Sequence, residues 1–234
     1  MIKRGIIGPW KIDPKSNNKF NQAIVIPAYG EAELLPHTLT SLDKNDALIL
    51  KDTLVIVVIN NAVNSVESIL QNNQTTLNNL KSTQYNYTLG IVDATSSGFE
   101  LPDKQAGVGL ARKIGMDLSL PYLSSPKSLI FCTDADTIVS KDYIEKVLTY
   151  FDTNKVQAAV VGFRHLESNN KKQEEAIRQY EIYLLTTAAK MRETGSPYGY
   201  VAMGSTMVCT VEAYCAVGGM PRKKATEDFY FLQE

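Results

Sequence analysis

Leu54-Val55-Ile56-Val57-Val58-Ile59 runs through six apolar residues without a polar break. A strand with one face in water alternates apolar with polar side chains. An unbroken run of this length therefore reads as a strand covered on both faces, as in a parallel sheet packed between helices. Working outward, Val- and Ile-rich runs also stand at residues 23–27, 89–92, 128–133 and 156–163. Each is separated from the next by enough chain for a helix, so the pattern predicts an α/β fold with a mainly parallel sheet flanked by helices.

The intervening stretches carry helical periodicity. Residues 31–42 repeat Leu34, Leu35, Leu39 and Leu42, and residues 141–151 repeat Ile144, Val147, Leu148 and Phe151 behind a Ser140 cap. Residues 171–191 space Ile177, Tyr180, Leu184, Thr187, Ala188 and Met191 so as to predict the longest helix, its aromatic residues read as packing. Residues 63–81 predict another helix, although an Asn-, Gln- and Thr-rich composition works against it and points to no function. Residues 95–106 and 195–199 read as loops, and in open α/β sheets such loops flank the ligand site at the carboxyl ends of strands. From Thr226 to Glu234 the sequence reads as a helix with an apolar stripe and no stop signal, which suggests a shortened protein.

The 234 residues suffice for one α/β domain with its own core. Lys and Arg total 24 against 25 for Asp and Glu, so no basic field exists to bind a nucleic-acid backbone. Cys132, Cys209 and Cys215 form no C-x-x-C pair, and two of them lie in apolar runs, which fits a reducing compartment. The sequons at Asn73 and Asn86 read as chance matches in an Asn-rich region. No apolar run approaches the ~20 residues of a transmembrane helix, and Met1 opens no secretion signal. The expected place is the cytoplasm, with a peripheral position at the inner face of a membrane as its variant.

The chemistry concentrates in four places. The first is the strand 128–133, which runs into Asp134-Ala135-Asp136. Twelve aspartates would give about 0.6 such doublets by chance, so position must supply the specificity. At the carboxyl end of a buried strand the two carboxylates emerge where ligands bind and suit a divalent cation already carrying phosphate oxygens. The competing reading is that Asp136 or Ser140 starts the next helix. The second is Pro27-Ala28-Tyr29-Gly30-Glu31, a strand end and turn that chain reversal alone explains, although Tyr29 can also stack on a nucleobase.

The third, Gly107-Val108-Gly109-Leu110-Ala111-Arg112-Lys113, begins a helix with small residues followed by two cations. Arg112 can reach a ribose or diphosphate, while close helix–sheet packing explains the glycines equally well. The fourth leads from Met203-Gly204 through Gly218-Gly219 to Glu227-Asp228. Acids near a helix start are often only favourable dipole partners; facing a cleft, each would raise the pKa of the other and make a general base.

In this order the four features resemble the family 2 glycosyltransferases of the GT-A fold, over residues 21 to 234. That family shows a strand ending in Pro-x-Tyr-Asn-Glu, a second ending in Asp-Asp, a Gly-x-x-x-Ala-Arg-Asn-x-Gly helix, a strand with Asp-x-Asp, then Gly-Gly and Glu-Asp. The resemblance implies one GT-A domain: an N-terminal extension to about residue 20, a nucleotide-binding half to residue 140 and an incomplete acceptor-side half after it. It implies Pro27, Tyr29 and Glu31 near the nucleoside, Arg112 on the family's arginine, Asp134 and Asp136 holding ribose and a metal-bridged diphosphate, and Asp228 as catalytic base. Gly30, Lys113 and the pair Asn60-Asn61 depart from the family pattern. Asn60 stands where the family often has an aspartate, and since an amide both donates and accepts, the base need not be uracil. Asp93, at its own strand end, is a further nucleotide-binding candidate without a motif match.

The expected activity is therefore metal-dependent (Mg or Mn) transfer of a sugar from a UDP- or GDP-sugar to a hydroxyl of a sugar, lipid or glycan acceptor, with inversion. The rivals are a nucleotidyltransferase, which would need a Gly-rich basic loop where Pro27-Ala28-Tyr29-Gly30-Glu31 stands, and an inactive sugar-nucleotide-binding module.

Overall fold

The computed structural model describes residues 5–221 and 226–234. Its strands are β1 (Gln22–Ala28), β2 (Thr53–Asn60), β3 (Thr88–Ala94), β4 (Leu129–Cys132), β5 (Ala158–Val160) and β6 (Met207–Thr210), in the order β3-β2-β1-β4-β6-β5. β3, β2, β1 and β4 run parallel; β6 is antiparallel to both β4 and β5. The helices are α1 (Leu35–Leu42), α2 (Ala47–Lys51), α3 (Glu67–Ser82), α4 (Val108–Ser119), α5 (Tyr143–Asn154), α6 (Lys171–Glu193), α7 (Val211–Ala216) and α8 (Glu227–Leu232).

Every residue of β1 and β2 is buried. Alternate side chains enter two separate cores, which explains the unbroken apolar run. Val25, Leu54, Ile56, Val58 and Cys132 face the layer that contains α4 and α7. Ile24, Ile26, Val55, Val57, Ile59 and Phe131 face α1, α3 and α5. α4 lies tight against the sheet because Gly115 has no side chain: a Cβ there would stand 2.3 Å from Val25 Cγ1 and 3.0 Å from Val58 Cγ2.

Several expectations need correction. α1 begins at Leu35, not residue 31, because Gly30 takes φ +72° and residues 31–34 form the turn before Pro36, which suits a first helical turn. The strand foreseen at 156–163 shrinks to Ala158–Val160 at the sheet edge. β6, from Met207 to Thr210, was not foreseen as a strand. Ser140 does not cap α5: its hydroxyl donates to Asp142, the residue that precedes the helix. The aromatic residues of α6 do not enter the core; Tyr180 and Tyr183 are exposed, and the helix buries only Glu181 and Ala188. All three cysteines are free, Cys132 and Cys209 buried. Among the described residues no helix is long and apolar enough to cross a membrane.

The Asn-rich segment forms α3 and does more than the composition implied. Asn73 is fully buried. Its Oδ1 accepts from Gly30 N at 3.0 Å, while Nδ2 donates to Asn60 O and to Asn61 Oδ1, each at 3.0 Å. Next to it, Asn72 Oδ1 accepts from Ala32 N at 2.9 Å. The helix thereby fastens the turn after β1 to the end of β2. Asn73→Ala would strand the Gly30 N–H and the Asn60 carbonyl, at a cost of about 1–3 kcal/mol. At about 2–4 °C per kcal/mol for a chain of this size, the melting temperature is expected to fall by a few degrees or more in calorimetry.

Candidate functional site

Parallel strands end at the same edge of the sheet. Pro27 pairs with Val58 and Ala28 with Ile59, and Thr133 N donates to Val25 O at 3.1 Å, so β1, β2 and β4 release their chains together. Pro27, Tyr29, Glu31, Asn60, Arg112, Asp134 and Asp136 accordingly line one cavity of about 520 Å³. Ala62, Ser65, Ala106, Gly107, Val108 and Ala135 complete its wall; of these, Ala62 and Ser65 had not been singled out in the sequence. Tyr29 is half-exposed at the rim, where its ring is available for stacking.

Asn60 is oriented by backbone. Its Nδ2 donates to Ala28 O at 2.9 Å and to Val58 O at 3.3 Å. With both N–H bonds engaged, the oxygen is what the side chain offers elsewhere, so this amide acts as an acceptor. Asn61 faces away from that role: Oδ1 accepts from Asn73 and from the Thr95 hydroxyl, and Nδ2 donates to Ala62 O.

Arg112 rises from the start of α4 and is held between two acids. Nη2 donates to Asp134 Oδ1 at 2.6 Å, and Nη1 donates to Glu227 at the start of α8. The side chains of Arg112 and Glu227 are almost fully buried, while Asp134 is partly open to the cavity. Burial by itself would depress the guanidinium pKa; Asp134, Cys132 and Glu227 reverse this and raise it, so Arg112 remains charged. Gly204, before β6, makes room for it, since a Cβ at that position would stand 2.3 Å from Nη1 and 2.4 Å from the guanidinium carbon. The Glu227 contact could be anticipated only as one of two adjacent acids, because 115 residues separate it from Arg112.

Negative charge is concentrated here. Burial, then Asp136, then Asp134 raise the pKa of Glu31 above the usual carboxylate value. Asp134 and Asp136 also line a second cavity of about 730 Å³, between the loop after β4, the chain following β5 and α6. The two carboxylates thus stand at the junction of two clefts.

Two candidates fall elsewhere. Asp93 lines a separate cavity with Lys11 and Lys81, and its carboxylate accepts from Thr95 N, Ser96 N and the Ser96 hydroxyl, the pattern of a loop-closing aspartate. Asp228 is half-buried on α8 and lines neither of the two joined cavities; Oδ1 accepts from Phe229 N at 2.8 Å. Its neighbour Glu227 is the acid that enters the Arg112 network.

Comparison with known proteins bears on this arrangement. The family model for glycosyl transferase family 2 matches residues 23–210. No match was found among curated proteins. Among solved structures the chain is similar to S. aureus TarS 1–349 in complex with UDP, with TM-score 0.56 and 15% identity over 90% of this chain and 53% of that one. It is also similar to the same protein with UDP-GlcNAc, with TM-score 0.55 and 14% identity over 90% and 52%. The mannosyltransferase PcManGT from Pyrobaculum calidifontis, in complex with GDP-Man and Mn2+, gives TM-score 0.52 and 14% identity over 95% and 54%. The chain spans about half the length of these structures, and at such identities the likeness establishes the fold, GT-A. With the family model reaching from the second residue of β1 to the last of β6, the chain belongs to glycosyl transferase family 2.

Proposed function

We propose that the chain transfers a sugar from a nucleotide-diphosphate sugar to an acceptor hydroxyl, with a divalent cation and with inversion at the anomeric carbon. The observation that carries this reading is the position of Asp134 and Asp136, shared between the 520 Å³ cavity and the 730 Å³ cavity. The donor occupies the first, the acceptor enters through the second, and transfer takes place where they meet.

The nucleoside lies along Tyr29 and Asn60. An acceptor-only Asn60 oxygen fits a ring N–H, such as uracil N3–H or guanine N1–H, and disfavours the bare ring nitrogens that cytosine and adenine present at that edge. Asp134 would hold the ribose, and Asp136 would be the principal metal ligand. The residues fit a cation: three carboxylates face one cavity, and burial, then Asp136 and Asp134, raise the pKa of Glu31. Among the described residues no group of three His, Cys, Asp or Glu is arranged to hold a metal ion by itself, so a cation here would depend on ligand oxygens as well. Diphosphate oxygens and water would supply the remaining oxygen ligands that Mg or Mn takes. Such a cation would neutralise the leaving diphosphate. Asp228 is the proposed base for the acceptor hydroxyl; because it lines neither cavity, α8, tied to Arg112 through Glu227, must move to bring its carboxylate to the junction of the two.

A thermal-shift screen of UDP- and GDP-sugars with and without Mn tests the donor and the cation together, because a ligand that binds the folded state raises its melting temperature by mass action. Mn-dependent stabilisation by at least one of them is expected, and Asp136→Asn should abolish the Mn dependence. Absence of stabilisation by every nucleotide sugar would refute the reading. Asp228→Asn should retain the donor-induced shift while lowering turnover about 10²–10⁴-fold, the usual contribution of a general base.

Gly204→Ala tests the Arg112 seat. The added methyl forces the guanidinium off Asp134 and Glu227, and disrupting a buried ion pair costs about 3–5 kcal/mol when a charge is left unpaired. Both a lower melting temperature and a weaker donor-induced shift are expected in calorimetry; unchanged values would show that Arg112 does not need this seat.

A further inference from the structure

The second cavity has a histidine in its wall that α6 grips at three points. Glu181 Oε1 accepts from His165 N at 2.6 Å and lies 2.9 Å from Nδ1. Glu181 Oε2 accepts from Arg178 Nη1 at 2.5 Å, and Arg178 Nη2 donates to His165 O at 2.7 Å. Arg178 Nε in turn donates to Glu174 at 2.6 Å. Phe163 meets the imidazole edge-on at 5.6 Å, and Tyr180 closes its other side at 6.2 Å. A helix that buries only Glu181 and Ala188 thus commits its tightest polar arrangement to one ring.

The hydrogen bond from His165 N, with those from the His165 ring and Arg178, holds the Glu181 carboxyl down at about 2. An ionised carboxylate only accepts, so Nδ1 carries a proton, and the tautomer this contact selects has its lone pair on Nε2. Anchoring the helix would need only the two backbone contacts. The third bond fixes the ring and its tautomer.

We propose that His165 is an acceptor-binding residue: Nε2 accepts a hydrogen bond from a hydroxyl of a polyhydroxylated acceptor in the cavity that also contains Asp134 and Asp136, and Glu181 is the residue that positions it. This rests on the glycosyl-transfer reading for the identity of the ligand as an acceptor. The wall beside His165 supports such a ligand, since Tyr143, Phe163 and Ile177 offer apolar surface to a sugar face next to the polar Ser168 and Gln173.

The chain has two histidines, and the other, His37, is exposed on α1. Long-range ¹H–¹⁵N spectra of the full chain therefore contain two imidazole patterns, assigned with His37→Gln. The expected result is an Nδ1-protonated His165. Methyl β-D-glucoside or glycerol should move its Nε2 resonance saturably and leave His37 in place, with titrations run both without donor and with Mn and a UDP- or GDP-sugar. His165→Asn retains a donor at the Nδ1 position and lacks Nε2. It should keep the melting temperature and the donor-induced shift while weakening methyl glucoside binding at least tenfold. An Nε2-protonated tautomer, a stationary His165 resonance in all titrations, or unchanged glucoside affinity in a folded His165→Asn overturns the proposal. Failure of every nucleotide sugar to bind is a different result: it removes the glycosyl-transfer reading, while the donor-free titration still decides whether His165 receives a hydroxyl.

Discussion

β1 is bonded on both sides by strands running in its own direction, and none of its residues reaches solvent. Polar side chains can emerge only beyond its end, and parallel neighbours must release theirs at the same edge. An antiparallel neighbour would turn its own carboxyl end to the opposite edge. The convergence of Tyr29, Glu31, Asn60, Asp134 and Asp136 on one cavity is thus a consequence of strand direction and register, before any individual contact is considered.

Such convergence crowds negative charge, and the fold answers with Arg112. Buried ion pairs gain little over apolar substitutes, but they are costly to break, so their main effect is to hold one arrangement in place. Here the guanidinium ties the start of α4 to the end of β4 and the start of α8, over the bare surface of Gly204. Its Nε has no hydrogen-bond partner among the described residues. This unsatisfied donor fits a group whose position is set by the two carboxylates and not by its own bonding capacity.

The parallel core and the convergence of most candidate residues on one cavity were legible because both depend on short-range signals. An apolar run such as Leu54 to Ile59 announces a doubly covered strand, and polar residues immediately after such runs lie at the ligand edge. What was not legible depends on distant partners. Nothing near Asn73 in sequence shows that its amide will meet Gly30 and Asn60. Nor does anything near Asp93 reveal whether its carboxylate turns toward ligand or back onto Thr95 and Ser96. β6 was missed because four residues carry too little periodicity to separate a strand from its surroundings. α6 misled for the opposite reason: its spacing correctly gives a helix, but Ile177, Tyr180, Ile182, Tyr183 and Leu185 lie around so much of its circumference that periodicity does not say which face is covered.

That last contrast divides the molecule. α4 buries ten of its twelve residues against β1 and β2, whereas α6, nearly twice as long, buries two. Local stability follows buried contact, so the strand-end cavity is the more rigid of the two and the α6 wall the more easily rearranged. In the proposed reaction this distribution has a physical logic. Charge on a diphosphate must meet carboxylates, cation and base edge within tight distances, which requires a wall that does not yield. An acceptor need present only one hydroxyl, and a wall with a single fixed imidazole, His165, can orient that group while the rest of the surface adapts to what carries it.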